Sequence, residues 1–126
     1  MNDLGDAHLR TWTLRFIALL AADTRDQLAW LGGRELETKD VVDEAELVCR
    51  VFEGLVERGV FEPEYLRELR ALGRRLGEID VACRVGPWAH ALATDQAWDD
   101  TRRLARDVLL TALGDWRQPL PHPVRL

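Results

Sequence analysis

The sequence predicts an all-α fold: a single-domain bundle of four to five helices with an extended, proline-rich C-terminal tail. Three observations predict it. Apolar residues recur at helical spacing over long stretches, no segment alternates with the period of two of a half-buried strand, and no Asn-Gly or Asp-Gly hairpin signal occurs. Residues 1–126 read as one domain, with an ordered bundle over about 7–114 and the tail over 115–126. A chain of 126 residues can bury roughly two thirds of its unfolded surface, enough for one core without disulfides or metal.

From about Ala7, the residues Leu9, Trp12, Phe16, Leu19 and Leu20 line one helix face, with Thr13 and Ile17 at its edge. Carried past Ala22, that helix would put Asp23, Thr24 and Gln27 into the apolar stripe. A break at Asp23, which can cap a new turn, removes the conflict, and Gly32-Gly33 stops the segment. The stretch Glu35 to Gly59 is the one around which the rest is organised. Thr38 or Asp40 serves as its N-cap, and the acids of its first turn suit the positive end of the helix dipole. Its apolar positions, from Leu47 and Val51 through Phe52 to Cys49 and Val42, spread over about 220°, so neighbours must cover this central helix on two sides.

Phe61-Glu62-Pro63 opens the next helix, with Pro63 at its first position and Leu66, Leu69, Leu72, Leu76 and Ile79 as its stripe. Gly73 and Gly77, one turn apart beside that stripe, imply that another backbone or a bulky ring packs close. Residues 81–87 form a connector, Pro87 starts a short turn through WAHALA, and Thr94 or Asp95 caps a last helix. Trp98, Thr101, Leu104, Ala105, Val108 and Leu109 give that helix its apolar face, and Gly114 stops it. Pro119, Pro121 and Pro123 keep the tail extended.

No apolar run approaches the ~20 residues of a membrane span. The opening MNDLGDAHLR lacks the basic n-region of a signal peptide, and Cys49 and Cys83 read as reduced, buried thiols, so the expected compartment is the cytoplasm. There is no serine, which excludes serine-nucleophile chemistry. Sixteen arginines stand beside a single lysine, Lys39. The net charge of −5 is concentrated: residues 35–46 hold Glu35, Glu37, Asp40, Asp43, Glu44 and Glu46 against Lys39.

That acidic stretch has three readings. Asp40, Asp43 and Glu44 share a helical surface and could ligate a hard cation, although no EF-hand spacing or second acidic helix completes a site. The stretch could instead dock a basic protein, since concentrated charge speeds encounter, or be only a solvated helix start. Glu44 falls inside the apolar stripe, which suggests a bond to Arg102 or Arg70, two arginines that also intrude on apolar faces. Arg67, Arg70 and Arg74 lie along one side of their helix but are interleaved with Glu62, Glu64, Glu68 and Glu78, an ion-pair face rather than a nucleic-acid site. His8, His90 and His122 have no ligand spacing, and His90 reads as a packed histidine with a backbone partner. Trp12 and Trp98 are core; Trp30, Trp88 and Trp116 sit at segment ends and either close the bundle or present a contact surface.

The run WAHALATDQAWDDTRRLARDVLLTALGDW resembles the C-terminal region of small, uncharacterised, all-helical bacterial proteins. The resemblance covers about the last quarter of the chain, and some acidic helical proteins of this size act as immunity or antitoxin partners. It implies no catalytic residues.

The expected function is therefore a non-catalytic protein-binding module, immunity- or antitoxin-like or an adaptor. It would dock a basic protein partner through Trp30, Glu35, Glu37, Asp40, Asp43 and Glu44. The alternative is a small-molecule or effector-binding regulatory protein with a cleft near Gly73 and Gly77, and the third reading is a metal-dependent hydrolase. No enzyme activity, cofactor, metal, nucleic acid or membrane is expected, and a homodimer is compatible with the sequence.

Overall fold

The break expected at Asp23 is present, and it shapes one end of the molecule. A computed structural model describes residues 3–32, 36–79 and 85–120. Among these residues there are six helices: α1 (Asp3–Ala21), α2 (Thr24–Leu31), α3 (Thr38–Glu57), α4 (Tyr65–Glu78), α5 (Trp88–Thr94) and α6 (Gln96–Leu113). The number exceeds the four or five expected because the break at Asp23 and the WAHALA turn each yield a helix of their own. No helix among the described residues is long and apolar enough to cross a membrane.

The four long helices close a ring, α1 on α3, α3 on α4, α4 on α6 and α6 on α1, while α5 packs on α2, α3 and α6 at one end. Polar contacts fix the directions. Arg58, just past α3, reaches Asp6 near the start of α1 at 2.9 Å. Arg75 late in α4 meets Asp100 early in α6 at 3.1 Å, and the Tyr65 hydroxyl donates to the Ala112 carbonyl at 3.4 Å. Neighbours are therefore antiparallel, an up-down-up-down bundle of the kind short connections favour.

In α3, the buried set runs through Val41, Val42, Ala45, Val48, Cys49, Phe52, Leu55 and Val56. Two helices cover it, as its wide apolar arc requires, but every long helix of the ring is covered in this way, so α3 is not the single centre. The arc is also narrower than expected. Leu47, at the outer edge of the helix, is 40% exposed, and Val51 packs against the core only half-buried. Inside, the Phe52 ring stacks on Phe61 with centroids 4.1 Å apart, and Trp88 meets Trp98 edge to face at 5.7 Å.

Several boundaries moved for local reasons. The N-cap of α3 is Glu37 rather than Thr38 or Asp40: Glu37 forms an antiparallel bridge with Pro87, and the Thr38 hydroxyl is spent on Gly86 O. Glu62–Glu64 form a turn, so α4 begins after Pro63 rather than at it. Asp95 caps α6, its Oδ1 accepting from Ala97 N at 2.9 Å. Gly32 and Gly114 end α2 and α6 at φ +58 and +78, left-handed positions that glycine occupies without strain. Gly73 and Gly77 admit no close neighbour: a Cβ on either would meet nothing within 4 Å, so the tight approach expected there does not exist.

The tail is not free over its described part. Trp116 receives the Arg106 guanidinium 3.8 Å above its ring and Arg117 at 4.8 Å, and Leu120 packs on the core. Cys83, His122 and the connector over 81–84 lie outside the described residues.

Candidate functional site

The bridge that moved the N-cap also builds the site. Thr38 donates to the Gly86 carbonyl through both its backbone N–H (2.9 Å) and its hydroxyl (2.8 Å), and Trp88 N–H donates to Leu36 O at 2.7 Å. These bonds hold the start of α3 against the start of α5 and bring Trp88 and Leu36 beside the first two turns of α3. Phe16 and Leu19 from α1 and Trp30 from α2 complete the wall.

Between them lies a cavity of about 420 Å³, lined by these residues together with Val41, Asp40 and Glu44. Trp30 and Trp88 are both buried, so each acts as a wall and not as an exposed platform. Trp88 Nε1, itself buried, has no hydrogen-bond partner among the described residues. Three of the sequence candidates, Trp30, Asp40 and Glu44, are thus brought together. Glu37 and Asp43 are exposed outside the cavity, and Glu35 lies outside the described residues.

Glu44 is half-buried but bonds neither arginine expected for it. Arg102 is committed to the C-terminal end of α1, and Arg70 lies across α3 on Glu53 at 3.2 Å. The two carboxylates of the cavity belong to one helix and are one turn apart, with aromatic and aliphatic walls opposite. A hard cation would find no oxygen ligands there to complete its shell. Among the described residues no group of three or more metal-ligating side chains is gathered.

Spacing links the acids to the exposed Leu47 and the half-buried Val51. Glu37, Asp40, Glu44, Leu47 and Val51 follow one another by three or four residues and so form a single stripe along α3. The stripe is acidic at the cavity and apolar further on. Sequence reasoning had Leu47 and Val51 as core; their place at the limit of the apolar arc, in line with two acids, is the signal that marks them as surface. Phe16, Leu36 and Trp88 carried no such signal, because only the tertiary bridge puts them beside Asp40.

Two other regions bear on the alternatives. A groove of about 800 Å³ runs between α3 and α4, with Leu66, Leu69 and Cys49 below and Arg50, Arg67 and Arg74 beside it. It includes Gly73 but not Gly77 and is open along its length rather than enclosed. Cys49 is free, and burial pushes its thiol up to about 12, with the charges of Glu46 and Glu53 adding to the rise. Such a thiol is unreactive at neutral pH, so it supplies no nucleophile. His90, expected to be packed, is exposed; its backbone N–H donates to Pro87 O at 3.1 Å and its carbonyl accepts from the Thr94 hydroxyl at 2.9 Å. No family model, curated protein or solved structure matches the chain.

Proposed function

We propose that the chain is a non-catalytic protein-binding module that docks a basic protein partner, as an immunity or antitoxin protein does. The observation that supports this best is the stripe of Glu37, Asp40, Glu44, Leu47 and Val51. An acidic ridge continued by an exposed leucine is what a docking surface needs: charge for encounter and apolar contact for residence. A solvated helix start accounts for the acids but not for Leu47 at 40% exposure in line with them. The acidic balance of −5 disfavours nucleic acid as the partner.

Effector binding is the second reading, supported by the groove at Gly73, whose arginines suit an anion. Its openness gives a small molecule little enclosure, so it ranks below docking. A metal-dependent hydrolase ranks third, since the carboxylates at the cavity come from one helix.

The test uses the chain as bait in a lysate of its native host. A second bait carries Glu35→Gln, Glu37→Gln, Asp40→Asn and Asp43→Asn. A basic protein retained by the first and lost from the second supports docking. Identical retention on both baits overturns it.

A further inference from the structure

The groove between α3 and α4 carries the opposite charge to the stripe. We infer that it seats an acidic amphipathic helix of a partner protein, laid along the two helices. The site is separate from the docking stripe, on another face and of opposite sign.

Four arginines, Arg50, Arg67, Arg70 and Arg74, line the groove against two glutamates, Glu46 and Glu53. Among the described residues, no acid of α4 lines it. Arg70 is spent on Glu53 at 3.2 Å. Arg50, Arg67 and Arg74 are all exposed, and none of the three is ion-paired among the described residues. The ion-pair face expected of α4 is therefore not formed at Arg67 or Arg74. These two stand two helical turns apart, about 10 Å. The Glu53–Arg70 pair fixes the register of the antiparallel helices and puts Arg50, one turn back on α3, across from Gly73. Both rims thus carry uncompensated guanidinium groups.

Between the rims the surface is apolar. Pro63 is exposed and Leu66 half-buried, over the buried Leu69 and Cys49. Gly73 keeps the α4 wall low: a Cβ there would meet nothing within 4 Å, so no neighbour in the chain requires a glycine. Inside a helix glycine is less stable than alanine. Room for another backbone in the groove is the use that remains for it.

These features select the occupant. A basic segment is repelled. A purely apolar helix would take water from three guanidinium groups and return no hydrogen bond. A small anion finds charge but little enclosure in about 800 Å³ open along its length. A helix with one apolar face and acids on its flanks meets every demand. Its apolar face covers Pro63 and Leu66, carboxylates two turns apart reach Arg67 and Arg74, and an acid on the other flank meets Arg50.

The probe is a capped peptide of about five helical turns, with leucine and alanine on one face and glutamate on both flanks. One control carries glutamine in place of glutamate, and another scatters the same residues around the helix. A single-stranded DNA oligonucleotide tests for a phosphate site. Fluorescence anisotropy of each, labelled and titrated with the full chain, gives its dissociation constant. The acidic amphipathic peptide is expected to bind on the order of 10–100 μM, and both peptide controls at least ~10-fold more weakly. Arg67→Gln and Arg74→Gln, at exposed positions, should each weaken it about 3-fold or more. Gly73→Leu fills the groove from open space and should weaken binding at least ~10-fold. Its urea midpoint should be no lower than the parent's, because leucine favours the helix. Should that variant lose stability, the two arginine variants alone decide.

Equal binding of the amphipathic and scattered peptides leaves only charge at work and overturns the inference. So does tighter binding of the oligonucleotide, or a peptide affinity unmoved by Arg67→Gln and Arg74→Gln, or no binding at all. The bait with four amides leaves the groove intact, so capture of a basic protein and seating of the peptide fail separately.

Discussion

Arg102 donates from Nη2 to Gln27 Oε1 at 2.8 Å, in a buried layer where α6 crosses the break between α1 and α2. These two side chains and Arg106 divide between them the carbonyls at the end of α1. Gln27 Nε2 donates to Leu19 O and Leu20 O at 2.9 and 3.1 Å. Arg102 Nε donates to Ala22 O at 2.8 Å, and Arg106 Nε to Ala21 O at 2.8 Å. A helix end turned inward needs such donors, because buried carbonyls without them cost as much as lost hydrogen bonds. Thr24 and Asp99 accept two further guanidinium bonds at 2.7 Å each, so Arg102 enters the core with four of its five donors engaged.

Replacing Arg102 should therefore be among the most damaging single changes outside the apolar core. Arg102→Ala strands Gln27 Oε1 and Ala22 O and should cost about 2–4 kcal/mol. Arg102→Lys keeps the charge but cannot span four acceptors with one ammonium, and should recover less than half of the loss. Urea denaturation of both variants measures this. A lysine variant as stable as the parent would mean that charge, and not the fork of donors, is what the site requires.

This layer also shows where reading the sequence stops. The periodicity that reveals α1 makes Gln27 an intruder, and a break at Asp23 correctly removes it from the stripe of α1. Nothing in that periodicity says that Gln27 is buried all the same, as the cap of the helix it left. Arg102 likewise stands out on an apolar face, but its partners are the Ala22 carbonyl and the Thr24 and Gln27 side chains, 75 to 80 residues away, which no helical periodicity encodes. At the candidate site the acids could be read because charge is written in the sequence. The aromatic walls could not, because Trp88 reaches Asp40 only through the pairing of Leu36 with the start of α5.

In the core, Phe52 is fully buried and stacked on Phe61, so Phe52→Ala removes both its own burial and a ring contact. The expected loss is about 3–5 kcal/mol. Glu53, the next residue, holds Arg70 across the surface at 3.2 Å with both side chains largely wet, so Glu53→Ala should cost below ~1 kcal/mol. Chemical denaturation compares them, and similar losses would contradict the register of α3.

Cys49 gives a signature at alkaline pH. Its thiol ordinarily ionises near 9.0, and in the folded chain burial pushes this up to about 12. Above pH 9 the unfolded chain loses this proton and the folded chain keeps it, so this group lowers stability as pH rises through that window. The slope approaches ~1.4 kcal/mol per pH unit for one group. Cys49→Ala should flatten the fall in stability between pH 9 and 10.5 relative to the parent. Denaturation curves of both at several pH values provide the measurement, and parallel slopes would show that the thiol ionises equally well in the two states.

The stripe on α3 predicts a division of labour in binding kinetics. Its acidic end acts at a distance, so amide substitutions at Glu37 and Asp40, and at the neighbouring Asp43, should slow association with the captured basic protein and reduce its salt dependence. The fold should survive, because Glu37, Asp40 and Asp43 are exposed at a helix start where each contributes on the order of 0.3–1 kcal/mol. The apolar end acts only on contact. Leu47→Ala should leave the association rate and its salt slope unchanged and speed dissociation several-fold, because truncating an interfacial apolar side chain shortens residence rather than encounter. Surface plasmon resonance at low and physiological salt resolves the two rates for each variant. If Leu47→Ala leaves dissociation untouched while the amide variants slow association, the partner meets the acids but does not lie along α3. If neither set changes either rate, the partner binds elsewhere on the bundle and the stripe is only a solvated edge.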